Sequence, residues 1–368
     1  MSRLPVCSAM LMAVSAAFPA YAVDADLNLN TYLAGSMIQL DSDFEAAEDD
    51  LEGANNASRV NLNGALKSEY GKLFAAYERG LRNDKNGIEQ VRQVYAGIDT
   101  GYGQLVGGKK ASEYRLVGEQ LDPFYDTSVV GFNGRAHSEG ASYGLSNLTN
   151  GFSRNMVSYS TPMLYERVQL NGAGFFNDKN APNDKTDYSV GGRYAQPGLE
   201  EGSMLTVGAQ YLKIENAAAF AAGNPARNEL LAVGGSPGPS DSVRVYGAYT
   251  APRYSLAVSL EQIDVDAEPE ARKYLYVAGT YAVAENTRMA LSYGRLEFKA
   301  GSPALSGDGV SFGVFQKCGK YLNAYVAGRK VYLDGPGETS SIAAGVSINL
   351  DAKLLPVFSV SGPGFGPQ

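Results

Sequence analysis

Near its C-terminus the chain reads Ser341-Ile342-Ala343-Ala344-Gly345-Val346-Ser347-Ile348-Asn349-Leu350, so that Ile342, Ala344, Val346, Ile348 and Leu350 alternate with Ser341, Gly345, Ser347 and Asn349. Successive side chains of a β-strand point to opposite faces, and such a segment therefore has one apolar and one polar face. The pattern recurs upstream. Leu205, Val207, Ala209 and Tyr211 alternate with Thr206, Gly208 and Gln210. Val243, Val245 and Tyr249 stand against Ser242 and Arg244, and Leu256, Val258 and Leu260 against Ser255, Ser259 and Glu261. Segments of helical period are almost absent, which makes the expected fold class all-β.

Composition sharpens this. The 368 residues include 43 glycines and 24 tyrosines with only 19% charged residues, yet the mean hydropathy is −0.20. Apolar content is hidden by alternation, as in transmembrane barrels, where every second residue faces lipid and the others face water. A soluble β-sandwich also alternates, but it has shorter strands and loops of similar length at both ends. Here the connectors fall into two classes that take turns. Short ones lie near Ser68-Glu69-Tyr70, Gly101-Tyr102-Gly103, Thr161-Pro162, Pro197-Gly198, Ala251-Pro252, Glu285-Asn286 and Cys318-Gly319. Long, Asn/Asp/Gly/Pro-rich ones lie near 41–57, 83–89, 111–151, 177–185, 215–240, 265–271, 299–308 and 333–338. The tally predicts a 16-stranded antiparallel transmembrane β-barrel with both termini on the short-turn, periplasmic side. Tyr159, Tyr194 and Tyr249 each stand three residues before a proline at a short turn, and Tyr281 precedes the turn at Glu285-Asn286. Rings at that height would form an interfacial girdle.

At the N-terminus, Arg3 precedes an apolar run from Met10 to Phe18 and the small-residue site Ala20-Tyr21-Ala22. These are the three regions of a secretory signal peptide, 1–22, so the mature chain is expected to begin at Val23. The run is too short to span a bilayer as a helix. Cys7 lies before most of it, where a lipidated cysteine would lie after, and a lipoprotein anchor is set aside. Cleavage removes Arg3 and no acid, taking the formal charge from −8 to −9. An acidic chain without a basic run does not suit nucleic acid. Cys318 then has no partner in the mature chain, which excludes a disulfide scaffold or a cysteine metal cluster. One histidine and scattered acids at Asp41–Glu52 provide no metal-ligand spacing, and no cofactor is implied.

Between Val91 and Pro162 the chain carries Arg92-Gln93-Val94-Tyr95-Ala96-Gly97-Ile98, then Gly108-Lys109-Lys110, Leu121-Asp122-Pro123-Phe124 and Arg154-Asn155-Met156-Val157-Ser158-Tyr159-Ser160-Thr161-Pro162, preceded by Ala57-Ser58-Arg59-Val60-Asn61-Leu62. In order and spacing these pieces resemble the general diffusion porins of Gram-negative bacteria, and the likeness runs over most of 23–350. The resemblance implies a homotrimer in outer-membrane lipid and lipopolysaccharide, passing small hydrophilic solutes and ions. It also implies a third external loop, here about 111–151, folded into the barrel to form a constriction. Carried over by position, Arg59, Arg92 and Arg154, with Lys109 at the start of the loop, would be the basic wall. Glu119, Asp122 and Asp126 would be the acidic loop. Opposed charges across a narrow neck would orient dipolar solutes and sort ions.

Strand parity tests the wall. Arg59 alternates with Val60 and Leu62 and points into the lumen, where an arginine avoids the cost of about 2–4 kcal/mol for facing lipid at midplane. Arg154 groups with Ser158 and Ser160, again inward. Arg92 shares parity with Val94, Ala96 and Ile98, so it needs a bulge to re-aim it or a position above the bilayer.

Gly140-Ala141-Ser142-Tyr143-Gly144, near His137, matches G-x-S-x-G, but it lies in a polar loop without the strand and helix a nucleophile elbow requires. Gly101-x-Gly103 lacks dinucleotide spacing. The rival readings are a substrate-specific anion or sugar channel on the same barrel, and a plugged structural or adhesin barrel. A family chain ends on an aromatic residue closing its last strand. Here that strand is expected to end near Leu350, with 351–368 as a periplasmic extension containing Leu354–Phe358, because prolines 363 and 367 oppose strand structure.

Overall fold

The computed structural model describes residues 24–42, 51–81, 91–129, 144–146, 148, 152–176, 186–216, 238–298, 306–334 and 337–359. Seventeen strand segments follow one another: β1 (Asp24–Ser42), β2 (Leu51–Asn55), β3 (Arg59–Ser68), β4 (Gly71–Gly80), β5 (Val91–Thr100), β6 (Gly103–Ala111), β7 (Phe152–Ser160), β8 (Val168–Phe175) and β9 (Asp187–Pro197), then β10 (Met204–Ile214), β11 (Ser240–Thr250), β12 (Tyr254–Val265), β13 (Arg272–Ala284), β14 (Thr287–Glu297), β15 (Gly307–Lys317), β16 (Leu322–Leu333) and β17 (Gly337–Ser359). A helix, α1 (Glu113–Leu121), follows β6. From β3 onward each strand pairs antiparallel with the next, and β17 pairs with β1 to close the barrel.

β2 and β3 occupy one place in the ring. β2 pairs with Gly35–Gln39 of β1, and β3 pairs with Asp24–Tyr32 of the same strand. Between them Ala57 takes φ +60°. The interruption is bridged by Asn56 N donating to Ala34 O at 3.0 Å and by Ala34 N donating to Ser58 Oγ at 2.9 Å. It is a bulge in one strand, and the closed barrel has 16 strands, as the alternation and loop lengths predict.

Alternation sorts the two faces. Val207, Val243, Val245, Leu256, Val258, Leu260, Ile342, Val346 and Leu350 are exposed on the outside, where hydrocarbon would contact them. Ser242, Arg244, Ser259, Glu261, Ala343 and Ser341 are buried inside. Tyr159 and Tyr281 are likewise exposed at the outward positions of their strands. Tyr249 stacks on Tyr254 with ring centroids 5.8 Å apart, its hydroxyl donating to Ser203 Oγ at 3.0 Å in the adjoining turn. Tyr249 pairs with the outward Leu256 and Tyr194 with the outward Val207, so all four tyrosines stand at outward positions close to a short turn, the geometry a girdle requires.

The last strand departs from expectation. It does not stop at Leu350, because Asp351 pairs with Asn30, Lys353 with Asn28 and Ser359 with Asp24. The boundary expected at 350/351 is therefore corrected for 351–359. The β16 ladder reaches only Ile348, so beyond Asn349 the other edge of β17 carries no partner among the described residues. Proline is tolerated on such an edge and at bulges, and Pro356 falls at a register shift between Leu27/Leu355 and Ala25/Phe358. Prolines 363 and 367 lie in 360–368, outside the described residues, as do residues 1–22, where a signal peptide is expected.

Candidate functional site

The third external loop turns into the barrel. Ser112 caps α1, its Oγ accepting from Arg115 N at 3.2 Å, and Glu113 places negative charge in the first turn, where the helix dipole favours it. Asp122 precedes Pro123 and is extended, with φ −96° and ψ 108°, which ends the helix, since the residue before proline avoids helical geometry. Val117 and Leu121 of the buried helical face pack against Tyr246 of β11.

What holds the loop is a buried polar knot. Glu261 of β12 accepts from Tyr114 Oη and from Ser146 Oγ, both at 2.6 Å. It also pairs with Arg244 Nη2 of β11 at 2.6 Å, with both side chains fully buried. Arg244 Nη1 donates to Tyr114 O at 3.0 Å, and the guanidinium carbon lies 4.6 Å from the Tyr114 ring centroid. The outgoing and returning limbs of the loop are thus tied to one carboxylate. Burial, reinforced by the charge of Glu261, pushes the Tyr114 hydroxyl well above its ordinary value, so it remains a donor. None of the family-matched positions includes this knot. Counting outward from the short turn at Ala251-Pro252 would have placed Arg244 opposite Glu261, which is their register.

Past the helix the loop crosses to the far wall. Asp122 is buried, accepting from Tyr276 Oη at 2.7 Å and Phe124 N at 2.9 Å. Phe124 packs in a cluster with Ile38, Ala290, Tyr325 and Ala327. Asp126, at φ +63°, then meets Arg59 of β3 at 2.8 Å, and the Arg59 guanidinium carbon lies 4.4 Å from the Tyr32 ring centroid. Glu119 accepts from Arg115 of its own helix and from Tyr125 Oη at 2.5 Å.

Of the wall and loop residues read from the sequence, the structure brings Arg59 and Asp126 into direct contact, with Glu119 on the same loop. Asp122 serves instead as a buried tie between loop and wall. Arg92 is the extra residue of a bulge, since Gln93 pairs with Glu78 and Val91 with Arg79. The bulge re-aims it toward the inner face, where it bonds the buried carboxylate of Glu78. Lys109 pairs by register with the outward-facing Val94 and donates to Val91 O at 2.5 Å, away from the Arg59–Asp126 contact. Its neighbour Lys110 lies 3.8 Å from Glu113. Arg154 belongs to β7, and its side chain lies outside the described residues. Asn155 beside it has φ +48°, and a register shift separates Ser153 from Met156. Ser142 and His137 also lie outside the described residues.

A closed barrel whose lumen is crossed by a polar, wall-tethered loop defines a pore. The model of the Gram-negative porin family matches residues 8–335, and the chain belongs to that family. No curated protein matches it significantly. Among solved structures, an anion-selective porin from Comamonas acidovorans is similar at 14% identity and TM-score 0.67, covering 89% of this chain and 100% of that one. OmpF of Salmonella typhi, in complex with daunomycin, is similar at 14% identity and TM-score 0.61, covering 88% and 97%. OmpT, an outer membrane protein of Vibrio cholerae in its trimer form, is similar at 15% identity and TM-score 0.59, covering 89% and 99%. Family and fold make this chain an outer-membrane diffusion channel.

Proposed function

We propose that the mature chain, beginning at Val23 after signal-peptide cleavage, is a homotrimeric general diffusion porin without catalytic activity, set in outer-membrane lipid and lipopolysaccharide. It would pass small hydrophilic solutes and ions through a neck where the third loop meets the wall. The observation that carries this reading is the Arg59–Asp126 pair, a half-buried cation from β3 and a largely buried anion from the loop at 2.8 Å. Opposite charges facing one another in a low-dielectric neck produce a transverse field that acts on dipoles and ions in transit. Arg92, held by Glu78, adds to the basic side at the external end, with Glu119 contributing to the acidic side. Arg154 is assigned to the wall by family position alone. The test is single-channel conductance and reversal potential of the purified protein in planar bilayers. Ohmic, water-filled conductance supports the reading, and a barrel that conducts nothing favours the plugged structural alternative.

A further inference from the structure

On the periplasmic side of α1 a chamber of about 350 Å³ lies between the helix and the inner wall, within the size range of small-ligand sites. Its wall is built in two rows across neighbouring strands. Gln104, Ser160, Asn171, Gly191 and Gln210 stand opposite one another in register. One step nearer the short turns come Gln169, Arg193, Gly208 and Tyr246. Glu113, Leu116, Val117 and Gln120 close the chamber from above, positions that share one face of a helix.

The glycines shape this wall. A Cβ on Gly191 would stand 2.1 Å from Gln210 Oε1, and one on Gly208 would stand 2.5 Å from the Tyr246 ring. Their absence lets the Gln210 carboxamide and the Tyr246 ring lie flat across the sheet. Gln210 is only 2% exposed, and its Oε1 has no hydrogen-bond partner among the described residues, nor has Asn171 Oδ1. Buried polar atoms are nearly always satisfied, and these two oxygens are shielded as placed, so each gains a donor only when its carboxamide, which already lines the chamber, turns toward an occupant.

We infer that this chamber is a binding subsite for a neutral, hydroxyl-rich solute of monosaccharide size. Five carboxamides, Gln104, Gln120, Gln169, Asn171 and Gln210, face one guanidinium, Arg193, and two carboxylates, Glu113 and Asp99. Hydroxyls donate to Gln210 Oε1, Asn171 Oδ1 and the carboxylates, and they accept from Arg193 and the amide nitrogens, so one ligand chemistry serves every group. Two carboxylates against one guanidinium disfavour an anion. The inference deepens the channel reading and rests on it, since the solute must reach the chamber through the lumen.

The test is uptake of labelled D-glucose into liposomes carrying the full mature protein, measured against concentration, with glycine as a zwitterionic comparison and KCl conductance recorded on the same preparations. Glucose flux is expected to saturate while glycine flux stays linear. Gln210→Met and Asn171→Leu are each expected to raise the half-saturating concentration about fivefold, the worth of one hydrogen bond. Gln120→Met, at an exposed loop position, does the same without touching the wall, which covers the case of a wall variant that fails to assemble. Linear glucose flux in the unmodified protein overturns the subsite. Saturation unchanged in Gln120→Met and in whichever wall variants assemble moves it elsewhere in the lumen and overturns this assignment. Saturation by glycine instead of glucose overturns the neutral class. Absence of KCl conductance sinks the channel reading itself, a separate outcome.

Discussion

Replacing Glu261 by alanine tests whether the third loop is held by the buried knot. The carboxylate has three donors on it at 2.6 Å, from Tyr114, Ser146 and Arg244. Removing one partner of a buried ion pair costs about 3–5 kcal/mol, because the remaining charge is stranded. The barrel ladder does not depend on this pair, whereas the loop does. The lumen also holds water that could rehydrate Arg244 if the loop moved away. The cost should therefore appear as release of the loop, not as global unfolding. At about 1.4 kcal/mol per factor of ten, the released population rises by roughly a hundred- to several-thousand-fold. Hydrogen exchange of the amides in 113–121, followed by mass spectrometry, should accelerate by up to that factor, and open-channel noise should increase. The double variant Arg244→Met with Glu261→Met removes both charges and should recover much of the protection, since paired removal of a buried salt bridge is often near neutral. Exchange in 113–121 that is unchanged in Glu261→Ala, or equally fast in the double variant, would refute the reasoning.

Further outcomes are expected. Arg59→Ser should shift the reversal potential in a KCl gradient toward cation preference and Asp126→Asn toward anion preference, and unchanged values in both would remove this pair from the neck. Arg92→Ser should shift it less than Arg59→Ser, because Arg92 bonds Glu78 on the adjacent strand and Arg59 bonds the third loop itself. Truncation after Leu350 removes the ladder of Asp351–Ser359 on β1 and the Lys353–Asp26 contact at 3.3 Å. The temperature at which the folded form disappears in semi-native electrophoresis should fall, with little change in conductance per channel. N-terminal sequencing of protein from outer membranes should begin at Val23, and an intact Met1 in that fraction would overturn the signal-peptide reading.

Much of this was legible in the sequence, for local reasons. Strand alternation is a property of consecutive residues, so Val243-Arg244-Val245 and Ser259-Leu260-Glu261 already declared which side chains face in. The alternation of short and long connectors similarly implied 16 strands, closure, and a third loop of unusual length. Parity counting also put Arg59 in the lumen, because β3 is regular from Arg59 to Ser68. What the sequence could not decide was everything that depends on where a ladder breaks. The bulge that turns Arg92 onto Glu78 and the irregular pairing that carries Pro356 through β17 are each set by the pairing with a partner strand. One extra residue inverts every side chain beyond it. The same holds for the loop. Its acidic residues were visible, but that Asp122 would be buried against Tyr276 while Asp126 reaches Arg59, and that one carboxylate on β12 would tie both limbs down, follows from the barrel's curvature bringing distant strands around a shared lumen. Only the closed tertiary structure determines that.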